Sequence, residues 1–233
     1  MKKKGIIREW AVRLALLLAG LCIAHFGVTL FLLSNLGSDP FNLLIQGLFR
    51  TWFSWAVMTH GRTHLAVSLL ILAALLFVDR LKVRPGTVVC MALGGPIIDL
   101  FTRLLSPVLN DSLPMLARLI MLAAGCIILA FGMTVVIRSE AGTGPNDLVA
   151  VVISEKLKKP FGVVRVLVDL CFAGAGFALG GVLGLGTVIC AFLVGPAAQM
   201  FLPASGRLCK FFLHKVGVSA PGEETDHENR ICL

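Results

Sequence analysis

The sequence predicts an all-α polytopic membrane protein: six transmembrane helices in two three-helix repeats, inverted relative to each other, each with an additional re-entrant or interfacial helix. Three observations carry that prediction. Of the 233 residues, 57% are hydrophobic and 15% charged, and mean hydropathy is +0.91, which leaves too little polar surface to cover a water-soluble globule. Six apolar runs, 13–34, 63–79, 85–106, 118–138, 163–181 and 185–204, lie near the ~20 residues that a ~30 Å hydrocarbon layer demands. A hexapeptide occurs twice, as Gly37-Ser38-Asp39-Pro40-Phe41-Asn42 and as Gly142-Thr143-Gly144-Pro145-Asn146-Asp147, 105 positions apart.

The first run follows Met1-Lys2-Lys3-Lys4, which looks like the charged start of a signal peptide. The apolar stretch from Leu14 to Leu33 is longer than a cleaved one and no small-residue cleavage site follows, so it reads as a retained span. Each hexapeptide then ends a run and opens a helix, because Gly stops a helix, Pro fits a first turn, and Ser, Thr, Asp or Gly caps it. The stretches behind them, 41–58 and 146–157, are only partly apolar. Asn42, Gln46 and Arg50, spaced four apart, put a polar stripe on one face of the first, and Trp52 and Trp55 suit an interfacial aromatic belt. The third and sixth runs are each interrupted by a Gly-Pro pair, Gly95-Pro96 and Gly195-Pro196, with Asp99 and Gln199 three positions on. The fifth carries Arg165 and Asp169, and residues 216–233 form a polar tail without apolar period.

The duplication extends beyond the hexapeptides. At the same offset Gly20, Phe26, Gly27, Thr29 and Ser34 match Gly125, Phe131, Gly132, Thr134 and Ser139; at an offset of 100, Gly86-Thr87-Val88, Cys90, Gly95-Pro96 and Phe101 match Gly186-Thr187-Val188, Cys190, Gly195-Pro196 and Phe201. His64 and Ser68 take the positions of Arg165 and Asp169. The chain divides into a first membrane repeat (1–106), an extracytoplasmic linker (107–117), a second repeat (118–206) and a polar tail (207–233). If 41–58 and 146–157 dip in without crossing, the N-terminus, Arg80, Lys82 and Arg84, Lys156, Lys158 and Lys159, and Arg207, Lys210 and Lys215 all fall on the cytoplasmic side, as the positive-inside rule requires. The Asn110-Asp111-Ser112 loop and the Gly180-Gly181 turn then fall outside. Three spans per half is an odd number, and an odd number inverts the second half.

Several functions are excluded or disfavoured. No basic stripe interleaved with aromatics points to nucleic acid, and the net charge of +8 lies beside the spans. The seven Cys, at 22, 90, 126, 171, 190, 209 and 232, form no CxxC and no metal-ligand spacing with His, so neither metal nor cofactor is expected. HExxH, GxSxG and a phosphate-binding Gly-x-x-x-x-Gly-Lys-Ser/Thr loop are absent, so the chain does not read as an enzyme.

The candidate site is the pair of helix starts. A helix N-terminus near the membrane presents unpaired N–H groups and about half a positive charge, and two of them aimed at one cavity would hold an anionic group. Its lining would be Gly37, Ser38, Asp39, Asn42, Gln46, Gly142, Thr143, Gly144, Asn146 and Asp147, with Arg165 and Asp169. Asp169, Asp99 and Asp39 are the candidates for coupling to an ion gradient; Asp99, with Arg103 one turn on, is expected to form a local pair. His25 reads as a hydrogen-bonded helix-packing residue.

Phe161-Gly162-Val163-Val164-Arg165-Val166-Leu167-Val168-Asp169-Leu170, the run from Gly184-Leu185-Gly186-Thr187 to Gly195-Pro196, and the Gly-rich, Pro-containing turn in both halves resemble the YczE/YyaS/YitT family of bacterial integral membrane proteins. The resemblance covers the chain to about residue 205. It implies a multi-pass protein of the bacterial cytoplasmic membrane with both termini inside. Asp39 departs from the Gly usual in the first turn, and the soluble domain that follows the membrane part in YitT-type members is not seen. The expected function is a small secondary transporter or permease for an unidentified small solute, an anion being one class it would take. The alternative is a non-transporting accessory protein that supports a biosynthetic or signalling partner. The partners expected are membrane lipid and the solute, and the small residues Gly174, Gly176, Gly180, Gly181 and Gly184 also suit a homo-oligomer.

Overall fold

A computed structural model describes residues 2–52, 60–109 and 113–215. The described residues form eight helices and no strand: α1 (Lys2–Leu33), α2 (Pro40–Trp52), α3 (His60–Asp79), α4 (Pro85–Leu105), α5 (Met115–Ser139), α6 (Pro145–Leu157), α7 (Phe161–Ala178) and α8 (Leu185–Lys215). Six are long and apolar enough to cross a membrane: Ile6–Leu33, Arg62–Asp79, Pro85–Leu105, Met115–Ser139, Phe161–Ala178 and Leu185–Lys215. They fall on the six runs read from the sequence. The other two, α2 and α6, have 13 residues each, about 20 Å of helix at 1.5 Å per residue. Trp55, the Asn110-Asp111-Ser112 loop, Cys232 and the tail from 216 onward lie outside the described residues.

Helices α1 and α5 form the spine and cross antiparallel on glycine. A Cβ built on Gly20 would stand 3.0 Å from the Gly132 carbonyl oxygen, and one on Gly27 would stand 2.6 Å from that of Gly125. Lipid tails give two apolar helices no hydrophobic reason to associate, so close backbone approach between small residues is what holds such a crossing. Each contact is the sequence counterpart of the other, since 20 matches 125 and 27 matches 132. The correspondence recurs at the helix ends. Arg13 Nη1 donates to the Ser139 carbonyl at 3.1 Å, and Arg118 Nε donates to the Ser34 carbonyl at 2.7 Å. Each arginine satisfies a terminal carbonyl and complements the negative end of the opposite helix. Two edge-to-face aromatic pairs, Phe26–Phe101 and Phe131–Phe201, both have centroids 5.4 Å apart and staple α1 to α4 and α5 to α8.

After α1 and α5 the chain turns through Gly37 (φ +148°) and Gly142 (φ +140°), a backbone conformation that side chains resist. The carbonyl groups exposed at these breaks are taken up across the molecule. Gly186 N–H donates to the Leu36 carbonyl at 2.8 Å, and Gly86 N–H donates to that of Ala141 at 2.9 Å. One end of the bundle holds Arg13 and Arg84 against Glu140, Lys82 against Glu155, and Lys156 donating to the Val78 carbonyl. At the opposite end Arg50 and Thr51 donate to the Gly180 and Leu179 carbonyls.

Burial is uneven between the halves. The largest cluster ties α5, α7 and α8 together through Leu122, Cys126, Met133, Val164, Val168, Val194 and Ala198. Helices α3 and α4 are sparser: Leu70, Phe77, Leu100 and Leu104 are exposed, as lipid-facing side chains are, and α7 packs along α8 whereas no comparable packing of α3 on α4 occurs among the described residues.

The spine makes a direct prediction. A Cβ on Gly132 would stand 2.2 Å from the Ala24 backbone nitrogen, so Gly132→Ala is expected to destabilise the protein by about 1–3 kcal/mol through overpacking. Gly174, with nothing within 4 Å of such a Cβ, is the control and should tolerate Ala. Thermal unfolding in detergent reads both, and equal midpoints for the two variants would refute the glycine crossing.

Candidate functional site

The two short helices start inside the bundle. Pro40, Phe41 and Leu43 of α2 are buried, as are Pro145 and Leu148 of α6. The ring of Phe41 lies 5.4 Å from that of Phe172, in the middle of α7, while Arg50 reaches the far end of α7 at Gly180. Likewise α6 begins beside Arg165 and ends where Lys156 meets Val78, at the end of α3. Both first turns line one cavity of about 510 Å³. Its polar lining is His25, Asp39, Asn42, His64, Ser68, Asn146, Asp147 and Arg165, set among apolar side chains such as Phe31, Phe41, Leu129 and Met133.

The two helix starts differ in chemistry. Asp39 Oδ1 accepts the N–H groups of Phe41 and Asn42, both at 3.1 Å, and its Oδ2 accepts Asn42 Nδ2 at 2.5 Å. This carboxylate caps its own helix. At the corresponding position Gly144 has no side chain, and α6 has no side-chain cap. The N-terminus of α6 is therefore open to the cavity, and that of α2 is occupied.

Arg165 is the centre of the charge. Its Nη1 contacts Asp147 Oδ1 at 2.5 Å and its Nε contacts Asp169 Oδ2 at 3.0 Å. Arg165 is 8% exposed and Asp169 1%, so the arginine does not reach an aqueous surface. The spacing of four along α7 makes the second contact local, and the first ties α7 to the start of α6. Asp169 Oδ1 is buried and has no hydrogen-bond partner among the described residues. Desolvating an ion costs several kcal/mol, which a charge pair offsets only with good geometry. Three carboxylates, Asp39, Asp147 and Asp169, share this region with one guanidinium. Among the described residues no group of three or more His, Cys, Asp or Glu side chains is placed to hold a metal ion.

The remaining predicted residues divide into three groups. Asn42, Gly144, Asn146 and Asp147 line the cavity with Asp39 and Arg165, and Asp169 lies behind Arg165. Gly37, Ser38, Gly142 and Thr143 do not line it: they form the turns, where Thr187 Oγ1 donates to the Ser38 carbonyl at 2.5 Å and Gly142 lies against Thr87. Gln46 and Arg50 do not continue a polar path from Asn42; Gln46 Oε1 accepts Val182 N–H at 2.7 Å and Arg50 holds Gly180, so both brace the turn between α7 and α8. Asp99 is exposed and lies outside the cavity lining, and no Asp99–Arg103 ion pair occurs among the described residues. The expected local pair is not formed there, because nothing buries the two side chains together.

His25 lines the cavity, which sequence reading gave only a packing role. Its Nδ1 donates to the Leu21 carbonyl at 2.8 Å, leaving Nε2 toward Gly94 of α4. His64 lies edge-on to Phe41, with ring centres 5.2 Å apart. The signal for His64 and Ser68 was their correspondence with Arg165 and Asp169; His25 has only Ala130 as a counterpart, and nothing marked it.

Six long apolar helices around a buried charge cluster define a polytopic helical membrane protein. Residues 11–203 match the family described as "Family of unknown function (DUF6198)", and the chain belongs to it. It is 31% identical over 195 residues to an uncharacterized protein of Haemophilus influenzae, covering 84% of this chain and 85% of that one. Two Bacillus subtilis proteins are also similar: the uncharacterized membrane protein YczE, 28% identical over 205 residues (88% of this chain, 92% of YczE), and the uncharacterized protein YyaS, 26% over 189 (79% and 89%). These are two of the names the motifs pointed to. No solved structure matches.

Removing Arg165 tests the cluster. Arg165→Leu leaves Asp169 buried without its partner and is expected to destabilise by about 3–5 kcal/mol, while Arg165→Leu with Asp169→Leu should recover most of that loss. Thermal unfolding of the two variants decides it. A single variant as stable as the parent would mean that Asp169 is not held in a dry site.

Proposed function

We propose that the protein is a small secondary transporter that carries a small solute across the membrane by alternating access. The observation that carries this reading is that two proline-started, half-length helices both present their first turns to one polar cavity inside an apolar bundle. Non-helical backbone at membrane depth is tolerated where it is buried or lines a wet cavity, and discontinuous helices of this kind build solute sites in carriers. A purely scaffolding protein has no use for a buried guanidinium with an open cavity beside it, so the accessory reading ranks second.

The matched antiparallel contacts of α1 and α5 support two duplicated halves of opposite orientation, with α2 dipping in from one face and α6 from the other. On the positive-inside rule, the end carrying Arg13, Lys82, Arg84, Lys156, Lys158 and Lys159 is cytoplasmic, as are both termini. Cysteine labelling of intact cells tests this: Arg62→Cys should react from outside and Lys158→Cys only after permeabilisation. Labelling of both from one side would mean that the halves are parallel.

The solute we favour carries a positively charged nitrogen. Helix starts alone suggest an anion, but Asp39 already fills the start of α2, and three carboxylates outnumber the guanidinium. Two helix ends add only about half a positive charge each, so the site stays short of positive charge. Asp169, with one oxygen unpartnered, is the first candidate for proton coupling and Asp39 the second. In proteoliposomes, ethylammonium uptake driven by a proton gradient is expected, with Asp169→Asn reducing it at least tenfold. Undiminished uptake in that variant removes Asp169 from the mechanism, and stabilisation by acetate or phosphate but not by ethylammonium in thermal shift reverses the charge assignment.

A further inference from the structure

The two halves of the chain hold different conformations. In the second half α7 lies closed on α8. A Cβ on Gly195 would stand 2.5 Å from the Gly162 carbonyl oxygen and 2.7 Å from Val166 Cγ2, and Gly162 N–H donates to Gln199 Oε1 at 2.8 Å. In the first half the same positions are taken by Gly61, Leu65, Gly95 and Asp99. There, among the described residues, nothing stands within 4 Å of a Cβ on Gly95, and Leu65 is 51% exposed although it lines the cavity.

A second difference lies at the turns. Thr187 Oγ1 donates to the Ser38 carbonyl. Its counterpart Thr87 is fully buried, yet its hydroxyl has no hydrogen-bond partner among the described residues, and neither has that of Thr143, the counterpart of Ser38. A buried hydroxyl left unpaired is costly, and a conformation that pairs it is favoured by the same amount. Gly95 adds a third observation: it stands in the wall of the cavity with open space where a Cβ would be, so another backbone has room to come to lie against it.

We infer that the protein has a second state in which the halves exchange conformations. In that state α3 closes on α4, with Gly61 against Gly95, Leu65 covering it, Asp99 accepting Gly61 N–H and Thr87 donating to the Thr143 carbonyl. The Gly162–Gln199 contact opens at the same time, and the cavity then faces the other end of the bundle. Asp99 is thereby assigned as a gate residue, which explains an exposed carboxylate outside the cavity. The inference rests on the alternating-access reading and gives it two named gates.

Disulfide trapping in native membranes tests it without any solute. Leu65→Cys with Gly95→Cys should cross-link under copper-phenanthroline at least fivefold above either single variant, the singles controlling for the native thiols. Gln199→Ala, on the opposite half, removes the latch of the closed gate and should raise that cross-linking at least twofold further. No cross-link above the singles means that α3 does not close on α4, and a cross-link indifferent to Gln199→Ala means that the gates are independent; either result overturns the exchange. Should the parent protein itself take up no ethylammonium, the carrier reading loses its solute, and the cross-links alone decide the exchange.

Discussion

Backbone polar groups in a bilayer have no water to turn to, and each one left unpaired costs several kcal/mol. A chain that interrupts its helices at that depth must find partners for the broken ends within itself. Here the carbonyl of Leu36 is met by Gly186 and that of Ala141 by Gly86. Both donors sit in the first turn of a helix, where the N–H has no partner of its own, and both are glycines because the approach leaves no room for a side chain. These two bonds close the turns after α1 and α5, and the turns bring the starts of α2 and α6 to the cavity.

The charges follow from that placement. Asp147 sits in the first turn of α6, where a carboxylate is favoured by the helix dipole, and the same turn brings it to Arg165. Arg165 in turn makes a buried Asp169 tolerable. Without the turn at Gly142, α6 would not start here, and Arg165 would keep only Asp169, on its own helix, as a partner. The glycine contacts between α1 and α5 hold the two turns at a fixed separation, so the cavity depends on residues that never touch it.

Much of this was legible in the sequence, and the reason is that backbone requirements leave a recognisable mark. Gly37, Gly142, Pro40 and Pro145 are dictated by local conformation, so the repeated hexapeptide announced both turns and both short helices; the apolar runs announced the six long ones. Arg165 and Asp169 were legible as a pair because their spacing is a helical one. What was not legible depended on how helices lie against one another. Gln46 and Arg50 share a face with Asn42, yet their partners are backbone groups in the 179–182 turn, a contact over more than a hundred positions. Asp99 looked like a paired charge because Arg103 is one turn away, and helical spacing does not reveal that no element buries them. His25 carried no signal, since a histidine that packs and one that lines a cavity look the same in one dimension.

The charged residues around the cavity occur in one copy, although the frame that holds them occurs in two. Arg165 corresponds to His64, Asp169 to Ser68, Asp147 to Asn42 and Gly144 to Asp39. On the carrier reading proposed above, a guest with two unlike ends is gripped in a single attitude whichever doorway admits it, and a stereoisomer would be told apart as sharply on departure as on arrival.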